Sequence, residues 1–87
     1  MKKYTDAIGC YSEAILMHPD NAIFYLNRAK CHKEIKEFEA CLADGKKSVE
    51  LDPAYIKGHT ILGEALVELG KLEVGSYAKI DLGVKEL

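Results

Sequence analysis

Two prolines, Pro19 and Pro53, stand 34 residues apart, and the residues around them repeat at the same offset. Tyr4 aligns with Phe38 and then Leu72, and Ala7 with Cys41 and then Gly75. Ala14 aligns with Ser48, Met17 with Leu51, Ala29 with Gly63, and Ile35 with Leu69. A unit of this length that alternates large apolar with small residues and ends in proline buries its apolar face by stacking on its neighbours. Ala, Gly, Ser or Cys at the small positions lets two helix backbones approach closely, and the large residues fill the gaps that remain. The fold class that follows is an all-α solenoid of helical hairpins. Such arrays bind other proteins far more often than they catalyse.

Hydrophobic periodicity places the helices. Ala7, Ile8, Tyr11, Ala14 and Ile15 recur at three- and four-residue steps, which predicts a helix over about 3–17. Pro19 ends it, because proline cannot continue the ladder and disfavours helical geometry in the residue before it. Asp20 or Asn21 then caps a second helix running to about 33, with Tyr25, Arg28, Ala29 and His32 towards its neighbours. After a short turn at Ile35-Lys36, a third helix covers about 37–51 with Phe38, Cys41, Leu42 and Val49 inward. Asp52-Pro53 repeats the break, with Asp52 as cap and Pro53 tolerated in a first turn. A fourth helix is expected over 54–69, a turn at Gly70-Lys71 with Gly70 as the terminating glycine, and a fifth helix over about 72–86. Gly75 and Gly83 each weaken that last helix by roughly 1 kcal/mol relative to alanine. The domain reading is one unit: 1–19 as the second helix of a first repeat, 20–53 as a second repeat and 54–87 as a third, about two and a half repeats in all. The stripe Tyr4, Ile8, Tyr11 and Ile15 then lacks its usual partner helix. Left bare, it predicts self-association through the first helix.

Composition narrows the function class. A formal net charge of −2 argues against nucleic acid or an anionic membrane as partner. The longest apolar run, residues 22–26, is far too short to cross a bilayer, and no signal-peptide pattern opens the chain. Cys10, Cys31 and Cys41 have no CxxC spacing and are read as buried, reduced thiols of a cytoplasmic protein. Gly63 and Gly70-Lys71 have the wrong spacing for a phosphate loop. His18, His32 and His59 lie on different elements, so no metal is expected. No set of Ser, His and Asp suggests a nucleophile. No enzyme activity, cofactor or metal is therefore expected of this chain. Glu64 and Glu68, an i, i+4 pair of like charge, are read first as a solvated face and second as the acidic wall of a groove.

The basic and amide residues carry more information. The stretch Tyr25-Leu26-Asn27-Arg28-Ala29 resembles the YxNRA segment of tetratricopeptide-repeat (TPR) domains of the carboxylate-clamp type. Those co-chaperone domains grip the acidic C-terminal tail, ending in aspartate, of heat shock 70 and 90 chaperones. The resemblance implies that Asn27 and Lys57 contact the terminal carboxylates, that Lys30 adds to the basic lining, and that Leu26, Thr60 and Ile61 offer apolar contacts. A lysine supplies a point charge with three donors, and an asparagine supplies an amide donor that does not titrate. Within the family, Ala40-Cys41-Leu42-Ala43-Asp44, Val49-Glu50-Leu51-Asp52 and Lys57-Gly58-His59-Thr60-Ile61-Leu62-Gly63 are similar to the ubiquitin-ligase co-chaperone type. That type carries a large apolar residue where many clamps have the arginine that would stand at Ile61. Two departures stand out. The helix that supplies the family's further lysine and asparagine would lie before residue 1, and His32 stands where tyrosine is usual. No U-box is recognisable in this chain. A second function class fits the same helices: an assembly scaffold whose end helices pair with another subunit, with no clamp at all. Whether a free C-terminal carboxylate matters for binding separates the two.

Overall fold

The computed structural model describes the backbone of residues 2–85 and the side chains of residues 2–70. Four helices follow one another: α1 (Lys2–Met17), α2 (Ala22–Glu34), α3 (Phe38–Leu51) and α4 (Ile56–Lys85). No strand occurs among the described residues. Two of the three breaks between helices fall at the predicted prolines, Pro19 and Pro53. Asn21 caps α2, its side-chain oxygen accepting from the Ile23 amide at 2.9 Å. Asp52 steadies the next break, accepting from the Ala54 amide at 3.3 Å. Pro53 lies in the turn rather than in a first helical turn, and α4 begins two residues later than periodicity suggested.

α2 is the hub. It packs against α1 on one side and α3 on the other, and it also touches α4, which packs on α3. Leu26, Ala29, Cys41, Ile61 and Ala65 form the buried core, with Leu42 and Tyr55 against it. Ala29 and Cys41 have no solvent exposure, as expected of small residues where helices cross. A close approach not singled out by the repeat occurs at Gly45: a Cβ there would come within 3.3 Å of the Leu62 Cα. A side chain at that point would make the α3 and α4 backbones give way by a few tenths of an ångström.

A polar cluster ties α1, α2 and α3 together. The Arg28 guanidinium donates to both carboxylate oxygens of Asp44, each at 2.7 Å, and to the Ser12 hydroxyl at 3.0 Å. His32 donates from Nδ1 to Glu37 at 2.8 Å. Ser48, fully buried, donates to the Ala22 carbonyl at 3.1 Å. No buried polar side-chain atom among the described residues lacks a partner. The shared hydrogen bond holds Arg28 above its ordinary pKa.

Three expectations need correction. The turn at Gly70-Lys71 does not form, so helices expected over 54–69 and 72–86 are one helix of 30 residues, about 45 Å long. Glycine lowers helix propensity without forbidding it, and no proline interrupts this stretch. The stripe on α1 is not bare: Ile15 is buried, and Tyr4, Ile8 and Tyr11 are half-buried, because α1 packs on α2. The exposed apolar side chains of α1 are instead Leu16 and Met17, at the end of the helix. Finally, only Cys41 of the three thiols is buried; Cys31 is half-buried and Cys10 is exposed. Burial pushes the Cys41 thiol up to about 11, which keeps it protonated and unreactive at neutral pH.

Candidate functional site

α2 and α4 are the leading helices of successive repeat units, and they face each other across a groove. Leu26, Lys30 and Lys33 recur along α2 at helical spacing, with Glu34 beside them. Lys57, Thr60, Ile61 and Glu64 do the same on α4. These eight residues line a cavity of about 370 Å³. Its floor is apolar, since Leu26 and Ile61 are both almost fully buried. Its rim is charged, with three lysines facing two glutamates.

The rim charges are not equivalent. Lys33 reaches across from α2 and donates to Glu64 on α4 at 2.9 Å. That hydrogen bond raises the Lys33 pKa. Lys30 and Lys57 are exposed and form no ion pair with any described residue. The Thr60 hydroxyl donates to the Ile56 carbonyl at 3.1 Å, so it is committed to its own helix. An apolar floor beneath two unpaired ammonium groups can hold an extended segment that carries both an apolar side chain and a carboxylate.

Of the six residues singled out in the sequence, Leu26, Lys30, Lys57, Thr60 and Ile61 come together in this cavity. Asn27 does not line it. It sits half-buried on α2 beside Leu26, and no hydrogen-bond partner for its side chain is found among the described residues. Lys33 and Glu34 were not foreseen as lining residues, and Glu64 was foreseen only in the second reading, as part of an acidic wall. Their positions i+3 and i+4 from Lys30, and i+3 from Ile61, were the available signal. Glu64 is neither a solvated bystander nor a plain acidic wall, because it is engaged with Lys33. Glu68 lies further along, in a shallower depression that shares Lys33, Thr60 and Glu64 with the main groove. His59 is structural: its Nε2–H donates to the Pro53 carbonyl at 2.7 Å and fixes the turn before α4. No group of His, Cys, Asp and Glu suited to a metal ion occurs among the described residues. No helix there is long and apolar enough to cross a membrane.

No family model matches the chain. Individual relatives do. The chain is 40% identical over 81 residues to the small glutamine-rich tetratricopeptide repeat-containing protein 2 of Saccharomyces cerevisiae, covering 91% of this chain and 23% of that protein. It is 42% identical over 62 residues to the Hsp70-Hsp90 organizing protein of Triticum aestivum, covering 71% of this chain and 11% of that one. It is 39% identical over 70 residues to human serine/threonine-protein phosphatase 5, covering 80% and 14%. The chain thus spans less than a quarter of the length of each, and proteins of different kinds share the same segment. The period of 34 residues, the succession of packed helices and these similarities agree on a tetratricopeptide-repeat domain.

Proposed function

We propose that this domain is a co-chaperone-type interaction module whose α2–α4 groove takes the acidic C-terminal tail of a heat shock 70 or 90 chaperone. The observation that carries the reading is the convergence of Lys30 and Lys57, neither of them ion-paired, above the apolar pair Leu26 and Ile61. A terminal aspartate presents two carboxylates to such a rim. Lys57 and Lys30 meet them as point charges, and Asn27, beside the cavity rather than in its lining, offers an amide donor not committed elsewhere. Leu26 and Ile61 receive the apolar side chain that precedes the terminus. The similarity to an Hsp70-Hsp90 organizing protein supports chaperones as the partner class. The motifs from Ala40 to Gly63 extend the reading to a parent of the ubiquitin-ligase type, with its U-box outside residues 1–87. In that arrangement this chain recruits substrate and has no enzyme activity of its own, and the protein is cytoplasmic.

The exposed Leu66 and Val67 on α4 favour the second reading, a scaffold that pairs with another subunit. One titration separates the two. An acidic peptide ending in Asp with a free carboxylate is compared with its C-terminal amide by NMR shifts or calorimetry. The acid is expected to bind in the range of tens to hundreds of micromolar, roughly −5 to −6 kcal/mol, and the amide markedly more weakly. Lys57→Ala should cost about 1–3 kcal/mol of binding while changing stability by less than about 0.5 kcal/mol, since Lys57 is exposed. Equal binding of acid and amide removes the clamp and leaves the scaffold.

A further inference from the structure

The groove already contains a carboxylate sitting on a lysine. Glu64 Oε1 lies 2.9 Å from Lys33 Nζ, joining α4 to α2 over the same cavity that Lys30 and Lys57 line. Neither partner is buried: their side chains are 34% and 45% exposed. The pair is therefore a weak, solvent-screened one that an incoming charge can displace. Lys33 is the only lysine of this rim with a carboxylate partner among the described residues; the other two are available to a ligand.

We infer that Glu64 is a built-in competitor that occupies Lys33 and sets both the strength and the charge selectivity of the groove. The inference rests on the acidic-tail reading above. An acidic ligand meets two open lysines and a third that must first be released from Glu64. Once released, Glu64 remains in the groove and repels the ligand's carboxylates. Glu34, on the same rim, adds to that repulsion. A ligand with a single terminal cluster of carboxylates, placed over Lys30 and Lys57, avoids the penalty. A uniformly acidic segment running along α4 past Ile61 does not. The groove is thereby tuned against acidic sequence in general and towards a carboxylate at one place.

The test uses the whole 87-residue chain and two probes, the Asp-ended acidic peptide and a poly-glutamate peptide of equal length with an amidated C-terminus. Glu64→Gln keeps the shape of the side chain and removes its charge. It should tighten the Asp-ended peptide about three- to tenfold and the poly-glutamate peptide by a larger factor, with a steeper dependence on salt. In a Lys33→Gln background the gain from Glu64→Gln should shrink to what relief of repulsion alone supplies, because the lysine it would have released is gone. A gain that persists undiminished in that background would show that Glu64 acts only by long-range repulsion and overturns the competitor role. An unchanged or weakened affinity in Glu64→Gln overturns it outright. Failure of the wild-type chain to prefer the acid over the amide strikes the acidic-tail reading instead, so the two failures are told apart. Unfolding curves for each variant, expected to coincide with wild type, show that binding changes are not folding changes.

Discussion

Between α2 and α3 the chain reverses on Ile35, Lys36 and Glu37; at the positions 34 residues later, Leu69, Gly70 and Lys71, α4 runs straight on. Local preference points the other way. Lys36 holds a φ of 64°, a left-handed conformation that costs a lysine something, while Gly70, which could adopt it at little cost, does not. The difference lies in what holds a returning helix. At the first junction Arg28 grips Asp44 across α2 and α3, His32 donates to Glu37, and the Glu37 amide donates to the His32 carbonyl at 2.8 Å. At the corresponding positions of the second unit stand Leu62, Leu66, Lys71 and Ala78, whose side chains cannot reproduce the Arg28–Asp44 and His32–Glu37 pairs. Leu66 and Val67 are left more than half exposed. A turn residue permits reversal; long-range contacts decide whether it happens.

The sharpest way to break this comparison is to remove the clamp. Asp44 is buried, and its two oxygens satisfy the forked face of Arg28. Asp44→Ala leaves a guanidinium with Ser12 and the Tyr25 ring as its remaining neighbours. Arg28→Ala leaves a buried carboxylate whose nearest cationic candidate is His32, at 3.7 Å. Either change is expected to cost about 2–4 kcal/mol in urea unfolding. At roughly 4–8 °C per kcal/mol for a chain of this size, that is a large fall in Tm. A loss below about 1 kcal/mol would mean that apolar packing alone holds α3 against α2, and the contrast between the junctions would need another cause.

Gly70 supplies a test whose sign is informative. In a continuous helix Gly70→Ala gains roughly 1 kcal/mol of propensity, and the added Cβ meets nothing within 4 Å. Had the chain reversed there in the left-handed conformation, the same change would cost roughly 1–2 kcal/mol. Stabilisation is expected, together with higher helicity in far-ultraviolet circular dichroism. Destabilisation would restore a second reversal.

Much of the architecture was legible because it is written in short-range patterns. Helical periodicity and two prolines located α1 to α3 to within a residue or two, and Asn21 was one of two candidates for the α2 cap. The groove floor was legible as well, since Leu26 and Ile61 fall on the facing helices of successive units. What escaped were features that depend on partners distant in the chain. The continuity of α4 turns on contacts that the second unit lacks. The cover that α2 gives the α1 stripe depends on how the two helices pack, which periodicity does not specify. The Lys33–Glu64 pair joins residues 31 positions apart. His59 belonged to a segment read only by resemblance, and its ring is used to hold Pro53. The role assigned to Asn27 came from resemblance alone, and it lies beside the cavity rather than in it.

The smallest effect concerns Lys36 itself. Its backbone amide donates to the Lys33 carbonyl at 2.9 Å, and its side chain is exposed, so the residue serves the turn through its backbone. Replacing it by glycine removes the steric penalty of the left-handed state but adds freedom to the unfolded chain. The first term, roughly 1–2 kcal/mol, exceeds the second, which is about 0.5–1 kcal/mol. Lys36→Gly should therefore stabilise the domain by about 0.5–1 kcal/mol, raising Tm by a few degrees with an unchanged urea m-value. Lys36→Ala keeps the Cβ and gains nothing, which makes it the matched control. If alanine stabilised as much as glycine, removal of a surface charge rather than relief of the backbone would be the cause. The first junction would then be no more strained than the straight run through Gly70.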